Sequence, residues 1–210
     1  MKGKPEVIEI LSKMLKEELG ALNQYMLHAE IQNNWGYKRL YAATKKQAIG
    51  EMKHADELIE RILFLEGMPN LADLPKLNIG KDVKQQLTND LALEKGAVAE
   101  YNAAVAAARK AGDNGSADLL DELLHDEEEH VDHLETQLSL IDQLGLENYL
   151  SAEDKPRAEA DLQGEAAAEL GVLLEQPVRR QRNRCRRGVS GGLDVAANGH
   201  RLGQFELLGE

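Results

Sequence analysis

The chain has 210 residues, is 42% hydrophobic but only 4% aromatic, and carries a formal net charge of −12 with a single cysteine, Cys185. One cysteine rules out an internal disulfide framework and fits a reducing cytoplasm, and the absence of any run of about 18 apolar residues rules out a membrane-spanning helix. The acidity disfavours nucleic acid as a partner and suits the handling of cations, and the opening twenty residues, charged every few positions, lack the apolar stretch of a signal peptide.

Few aromatics and abundant Leu, Ala and Val favour packed helices over sheets. The first predicted helix starts at about Pro5, a residue suited to the first helical position, and stops at Asn33-Asn34-Trp35-Gly36. A second runs from about Tyr37 to Glu66 and is halted by Gly67-Met68-Pro69. The third spans about Asp82 to Ala111, with Gly112 as its stop, and the fourth about Ser116 to Leu144, ending at Gly145. A short fifth helix is expected from Glu147 to about Asp154. Each long helix has about 30 residues and should be about 45 Å long.

The connections set the topology. Two or three residues join the first pair and about four join the second, so each pair should form an antiparallel hairpin. Between the hairpins lies GMPNLADLPKLNIGK, which fully extended could span about 50 Å, enough to return along a whole helix. The expected fold class is therefore all-α: an up-down four-helix bundle with one long crossover and a short fifth helix.

Charge and composition change after Lys155. Residues 1–155 hold 14 Lys and 3 Arg against 29 Asp+Glu, whereas 156–210 hold no Lys, 8 Arg and 8 Asp+Glu, together with eight of the 18 glycines. Residues 1–155 are read as the functional bundle. Residues 156–210 are read as an irregular Arg/Gly-rich tail, disordered or outside the native fold, with helical potential confined to about Gly164–Glu175. Its RRQRNRCRR stretch at 179–187 would suit a basic arm, but the switch from Lys to Arg favours an extension of different coding history.

The chemistry lies in four glutamates placed on apolar faces. Glu18 is in line with Leu11, Leu15, Leu22 and Tyr25, and Glu51 with Ala48, Ala55, Leu58 and Ile62. Glu94 is in line with Leu87, Leu91, Val98 and Tyr101, and Glu127 with Leu120, Leu124, Val131 and Leu134. Each lies near the middle of its helix, so all four reach a similar height. Unpaired buried carboxylates cost several kcal/mol each, so something positive must sit among them.

His54 follows Glu51 at i+3 and His130 follows Glu127 at i+3, each sharing its glutamate's face. The pattern repeats: Glu18 precedes Glu51 by 33 residues as Glu94 precedes Glu127, and Tyr25 follows Glu18 by seven as Tyr101 follows Glu94. A shift of 76 residues thus relates the two hairpins and predicts a pseudo-twofold axis. Four carboxylates and two imidazoles suit two divalent first-row ions. A third Glu-x-x-His, Glu122 to His125, points away from this face and is read as surface.

The stretches LNQYMLHA, NWGYKRL, GEMKHADELIERILFLEG, PNL, LNIG, DLALE, DEEEHVDHLE and LGLENYL cover the bundle almost continuously, and on them residues 1 to about 155 resemble bacterioferritin, a ferritin-like di-iron protein. The resemblance implies that Glu18, Glu51, His54, Glu94, Glu127 and His130 form a ferroxidase centre holding two iron ions per subunit, with Glu51 and Glu127 bridging them and Tyr25 alongside. That centre would oxidise Fe(II) with O2 and supply a ferric mineral core inside a hollow homo-oligomeric shell of 24 subunits. The resemblance further implies that Met52 ligates haem b, one methionine from each of two subunits, with Trp35 and Ile49 as candidates to line the pocket. A ferredoxin-type reductant is the expected partner for iron release. Lys46 and Gly50 stand where some relatives place His and Asp, so an accessory iron site there is not expected. A rubrerythrin-type relative would add a Cys-rich iron domain, a DNA-protecting mini-ferritin would build its ligand set between subunits, and a non-catalytic haem-binding bundle would leave four core glutamates unexplained.

Overall fold

The computed structural model describes residues 1–153, in which five helices follow one another: α1 (Pro5–Asn34), α2 (Lys38–Phe64), α3 (Val83–Lys110), α4 (Asn114–Leu144) and α5 (Leu146–Glu153). The readings made for residues 156–210 lie outside the described residues. None of the described helices is long and apolar enough to cross a membrane.

Local chemistry sets the boundaries. Pro5 occupies the start of α1, and Gly36, with φ 93, turns the chain after it. Asp82 caps α3 by accepting from the Gln85 amide at 2.8 Å. α4 starts at Asn114, two residues before the expected Ser116, because Asp113 provides the cap. The Asp113 carboxylate accepts from the Ser116 amide at 3.0 Å and from Arg61 of α2 at 2.7 Å, so one side chain both starts α4 and ties it to the end of α2.

Side-chain pairs fix the directions of the helices. Glu18 pairs with Tyr101, Tyr25 with Glu94, His28 with Asp90 and Gln32 with Gln86. Residue numbers rise on α1 as they fall on α3, so these helices are antiparallel. The short loops make α1/α2 and α3/α4 antiparallel hairpins, so α2 and α3 run in the same direction, which requires the long crossover of residues 65–82. Gly20 lets the crossover approach α1 closely: a Cβ there would stand 2.2 Å from Pro75 Cγ.

The core is divided along the bundle. At one end Val7, Leu11, Leu15, Leu58, Ile62, Tyr101, Leu120 and Leu123 pack together; at the other, Leu40, Val83, Leu87, Leu134 and Ile141 are joined by Tyr149 of α5. On α4 the fully buried leucine next to the stripe is Leu123, with Leu124 only partly covered. Between the two apolar ends lies a polar layer, and Glu18, Glu51, Glu94 and Glu127 fall in it.

Candidate metal centre

Glu18, Glu51, Glu94 and Glu127 are all buried, each at 2% exposure or less, and come from α1, α2, α3 and α4 respectively. Helical phase accounts for this: the side chains that flank each glutamate at three and four residues are mostly buried or partly buried, Leu15 and Ala21 beside Glu18 and Ala48 and Ala55 beside Glu51 fully so, and the glutamate points inward with them. His54 and His130 face each other across the layer, their rings stacked at 5.9 Å between centroids and 21° between planes.

The six side chains form two overlapping groups. Ligand atoms of Glu18, Glu51, His54 and Glu127 lie within 4.8 Å of one another, and so do those of Glu51, Glu94, Glu127 and His130. Glu51 and Glu127 belong to both. His54 Nδ1 is 3.4 Å from Glu18, 3.3 Å from Glu51 and 3.1 Å from Glu127. His130 Nδ1 is 3.2 Å from Glu51, 3.1 Å from Glu127 and 4.0 Å from Glu94. Glu122 and His125 are exposed, as expected of a surface pair. Met52 lies apart from the six, on the outside of α2 and 39% exposed.

Whether this layer suits a cation is decided by its hydrogen bonds. Eight buried side-chain atoms among the described residues lack a hydrogen-bond partner, and six of them are here: Glu18 Oε2, both oxygens of Glu51, His54 Nδ1, Glu94 Oε2 and Glu127 Oε1. Native interiors seldom leave such atoms unpaired. His54 Nδ1 is close to three carboxylate oxygens yet aligned with none, so the four atoms converge on a shared point. Oxygen and imidazole nitrogen donors in this proportion suit first-row divalent ions, and each group supplies three carboxylates and one imidazole.

Charge within the layer is balanced by protons. Burial, with Glu51 and Glu127 as like-charged neighbours, raises Glu18 and Glu94 well above the usual carboxylate range. Burial presses the same way on Glu51 and Glu127, but the two imidazoles outweigh it, lowering Glu51 and bringing Glu127 to about 2. The histidines respond in kind. Burial opposes their charge, yet Glu127 and Glu51 lift His130 to about 10, and Glu127, Glu18 and Glu51 lift His54 further. Two carboxylates and two imidazolium rings thus compensate one another, while Tyr25 and Tyr101 donate hydrogen bonds to Glu94 and Glu18.

Two features escape the sequence reading. Each tyrosine bonds to the glutamate of the other hairpin rather than its own, which the seven-residue spacing cannot reveal. Asp126, the residue before Glu127, accepts from His54 Nε2 at 3.3 Å on the side away from the cluster. An acidic residue beside a ligand-bearing Glu-x-x-His is the signal that could have raised it. A cavity of about 270 Å³ beside the crossover borders all four glutamates and is lined also by Glu17, Glu100, Pro75 and Asn78.

A bundle of this topology with two carboxylate–histidine groups sharing a pair of glutamates is the arrangement of di-iron carboxylate proteins. Residues 8–144 match the ferritin family, described as a ferritin-like domain. The chain is 48% identical over 161 residues to bacterioferritin of Brucella melitensis, covering 77% of this chain and 100% of the relative. It is 43% identical to bacterioferritin of Mycobacterium bovis and 44% identical to that of Rhodobacter capsulatus, each over 149 residues and 71% of this chain, covering 94% and 92% of those relatives. The chain belongs to the ferritin-like family, with the bacterioferritins.

Proposed function

We propose that this chain is an iron-storage protein whose central polar layer is a ferroxidase centre. Iron storage follows from its place in the family. The oxidation of Fe(II) rests on one observation: six buried donor atoms without partners, arranged as two groups that share Glu51 and Glu127. Glu18 with His54 would hold one Fe(II) and Glu94 with His130 the other, with the shared pair bridging them. Stripped of protons, the six ligands carry −4, which two divalent ions cancel, and carboxylate-rich surroundings favour the ferric state.

Two adjacent Fe(II) ions would supply one electron each to O2, a two-electron reduction that with two protons gives hydrogen peroxide and two Fe(III) without free superoxide. The chain's own work is to gather the ions, keep them adjacent, and release protons from His54, His130, Glu18 and Glu94 as the ions bind. Tyr25 and Tyr101 orient Glu94 and Glu18 for this. Ferric product would supply a mineral core inside a multi-subunit shell, 24 subunits in the reading from sequence, with the cytoplasm as its compartment and a ferredoxin-type reductant for release. Apolar side chains left exposed on the single chain, among them Met26, Leu27, Trp35, Leu63 and Phe64, suit burial between subunits. Met52, exposed on the outside of α2, would be the residue by which each of two subunits holds a shared haem b, and the haem would supply an electron-transfer group.

The test is Glu18→Ala combined with Glu94→Ala, followed by stopped-flow oxidation of Fe(II) and anaerobic Fe(II) titration. Loss of rapid oxidation and of tight binding in a protein with unchanged helix content is expected; unchanged kinetics would refute the assignment. Sizing of the purified protein together with its visible spectrum tests the shell and the haem.

A further inference from the structure

The shift of 76 residues that superposes one hairpin's ligands on the other's breaks down at one position next to the centre. Glu51, His54, Glu18 and Tyr25 map onto Glu127, His130, Glu94 and Tyr101, but Asp126 maps onto Gly50. His54 therefore has a carboxylate behind it, with Nε2 3.3 Å from Asp126 Oδ2, while Nδ1 faces Glu18, Glu51 and Glu127. His130 likewise turns Nδ1 toward Glu51 and Glu127, but the corresponding place on α2 is a glycine with no side chain to accept from its outer nitrogen. The two cation positions, alike in their inner ligands, differ in what stands behind the imidazole.

We propose that Asp126 is a positioning residue that makes the His54 side the tighter of the two metal positions. A ring nitrogen can offer its lone pair to a metal only if the proton resides on the other nitrogen. A carboxylate accepting from Nε2–H selects that tautomer, fixes the ring plane and increases the electron density at Nδ1. His54 receives all three effects from Asp126, and His130 must rely on solvent. Cations therefore fill the centre in order, first among Glu18, Glu51, Glu127 and His54, then among Glu51, Glu94, Glu127 and His130. The inequivalence belongs to this chain's own residues, because it comes from Gly50 opposing Asp126 rather than from the ligand set. It rests on the reading of the layer as a two-metal centre.

Three variants separate the possibilities. Asp126 is half exposed, so Asp126→Asn should fold normally. Gly50→Asp is its mirror image, and a Cβ at Gly50 meets nothing within 4 Å. Asp126→Glu is the conservative rescue. Anaerobic Co(II) titration, followed by visible absorption, reads the two binding steps without any oxidation, and NMR of the Co(II)-loaded protein reads the exchangeable imidazole N–H signals. In the unaltered chain we expect two unequal steps and one slowly exchanging imidazole N–H. Asp126→Asn should weaken the first step about 10-fold, bring the two together and hasten exchange of that signal, with Asp126→Glu restoring much of the difference. Gly50→Asp should strengthen the second step by about the same factor and protect a second N–H.

Two Co(II) bound with unchanged steps in Asp126→Asn would overturn the proposal while leaving the two-metal centre standing. A third ion in Gly50→Asp without a tighter second step would overturn it too. No Co(II) bound by the unaltered chain would instead overturn the centre itself.

Discussion

Two regions of this bundle bury polar side chains, and they do so in opposite ways. Along the α1/α3 seam, Asp90 accepts from Gln24 at 2.8 Å and from His28 Nδ1 at 3.0 Å. His28 Nε2 in turn accepts from the Gly80 amide at 3.0 Å, Gln24 accepts from the Asn78 amide at 2.9 Å, and Gln32 donates to Gln86 at 3.1 Å. In this strip the polar atoms mostly find protein partners, and two of the bonds hold the crossover down. In the central layer a similar number of buried polar residues leaves six atoms, five carboxylate oxygens and one imidazole nitrogen, without a hydrogen bond. Both regions contain His and acidic residues, so composition does not separate them. Hydrogen-bond satisfaction does: in the first region only Gln32 Oε1 is left without a partner, whereas the second leaves an open set of oxygens and an imidazole nitrogen that could hold cations. The strip has no counterpart under the 76-residue shift, where Gln24, His28 and Asp90 answer to Glu100, Ala104 and Met14, whereas the layer is nearly symmetric.

That contrast can be broken most forcefully at the layer. Glu18→Ala with Glu94→Ala should slow Fe(II) oxidation by about 100-fold or more, measured by stopped flow. Thermal unfolding of the same variant, prepared with chelator, should change little, since relief from two costly buried carboxyls offsets the lost hydrogen bonds from Tyr25 and Tyr101.

Asp90→Ala should do the reverse. It strands His28 Nδ1 and the Gln24 amide and should cost about 3 kcal/mol in stability, read by chemical denaturation, while two metal ions still bind per chain. A loss of metal stoichiometry with intact stability would show that the strip had been misread.

The pH response sharpens the same distinction. His130 is raised from 6.5 to about 10, so in chelator its contribution is fully present below about pH 6.5 and is lost as pH rises through about 10. Raised Glu18 and Glu94 act in the same sense, losing stability as pH rises above their usual carboxylate range. With Zn(II) bound the trend should invert, because ions compete with those protons, and affinity should rise with pH. Melting curves from pH 6 to 9, with and without Zn(II), check this, and proton release on Zn(II) addition in weak buffer should accompany it.

The smallest effect is expected from Tyr25→Phe and Tyr101→Phe, each removing one hydrogen bond to a glutamate of the opposite hairpin. A change of about 1 kcal/mol in stability is expected for each, with helix content unaltered and Fe(II) oxidation retained in modified form. If Tyr25→Phe disturbed only the Glu18 side of the centre, the cross-hairpin pairing would be wrong.

Much of this was legible in the sequence. Helical periodicity placed five helices within a few residues of where they lie, and the glutamates at core positions, with the 33- and 76-residue intervals, picked out the six side chains that the fold brings together. Periodicity works here because a helix fixes which side chains share its face, and a glutamate among leucines on that face has nowhere to go but inward. The start of α4 was placed two residues late, because the cap falls on Asp113, which Arg61 of α2 also holds. Met52 could be placed on the outside of α2, but a contact with a second subunit is not written in one chain's periodicity.

By itself, then, the sequence determined the helices, their inward faces, the long crossover and which six side chains gather in the central layer. Tertiary structure alone decided that Tyr25 reaches Glu94 and Tyr101 reaches Glu18, that Asp126 stands behind His54 with only Gly50 in the matching place, and that the strip around Asp90 is satisfied while the central layer is not. The physical reason is that local periodicity fixes a residue's face on its own helix, whereas partners across helices depend on axial register and neighbour choice. Those are set only when the apolar ends of the bundle pack.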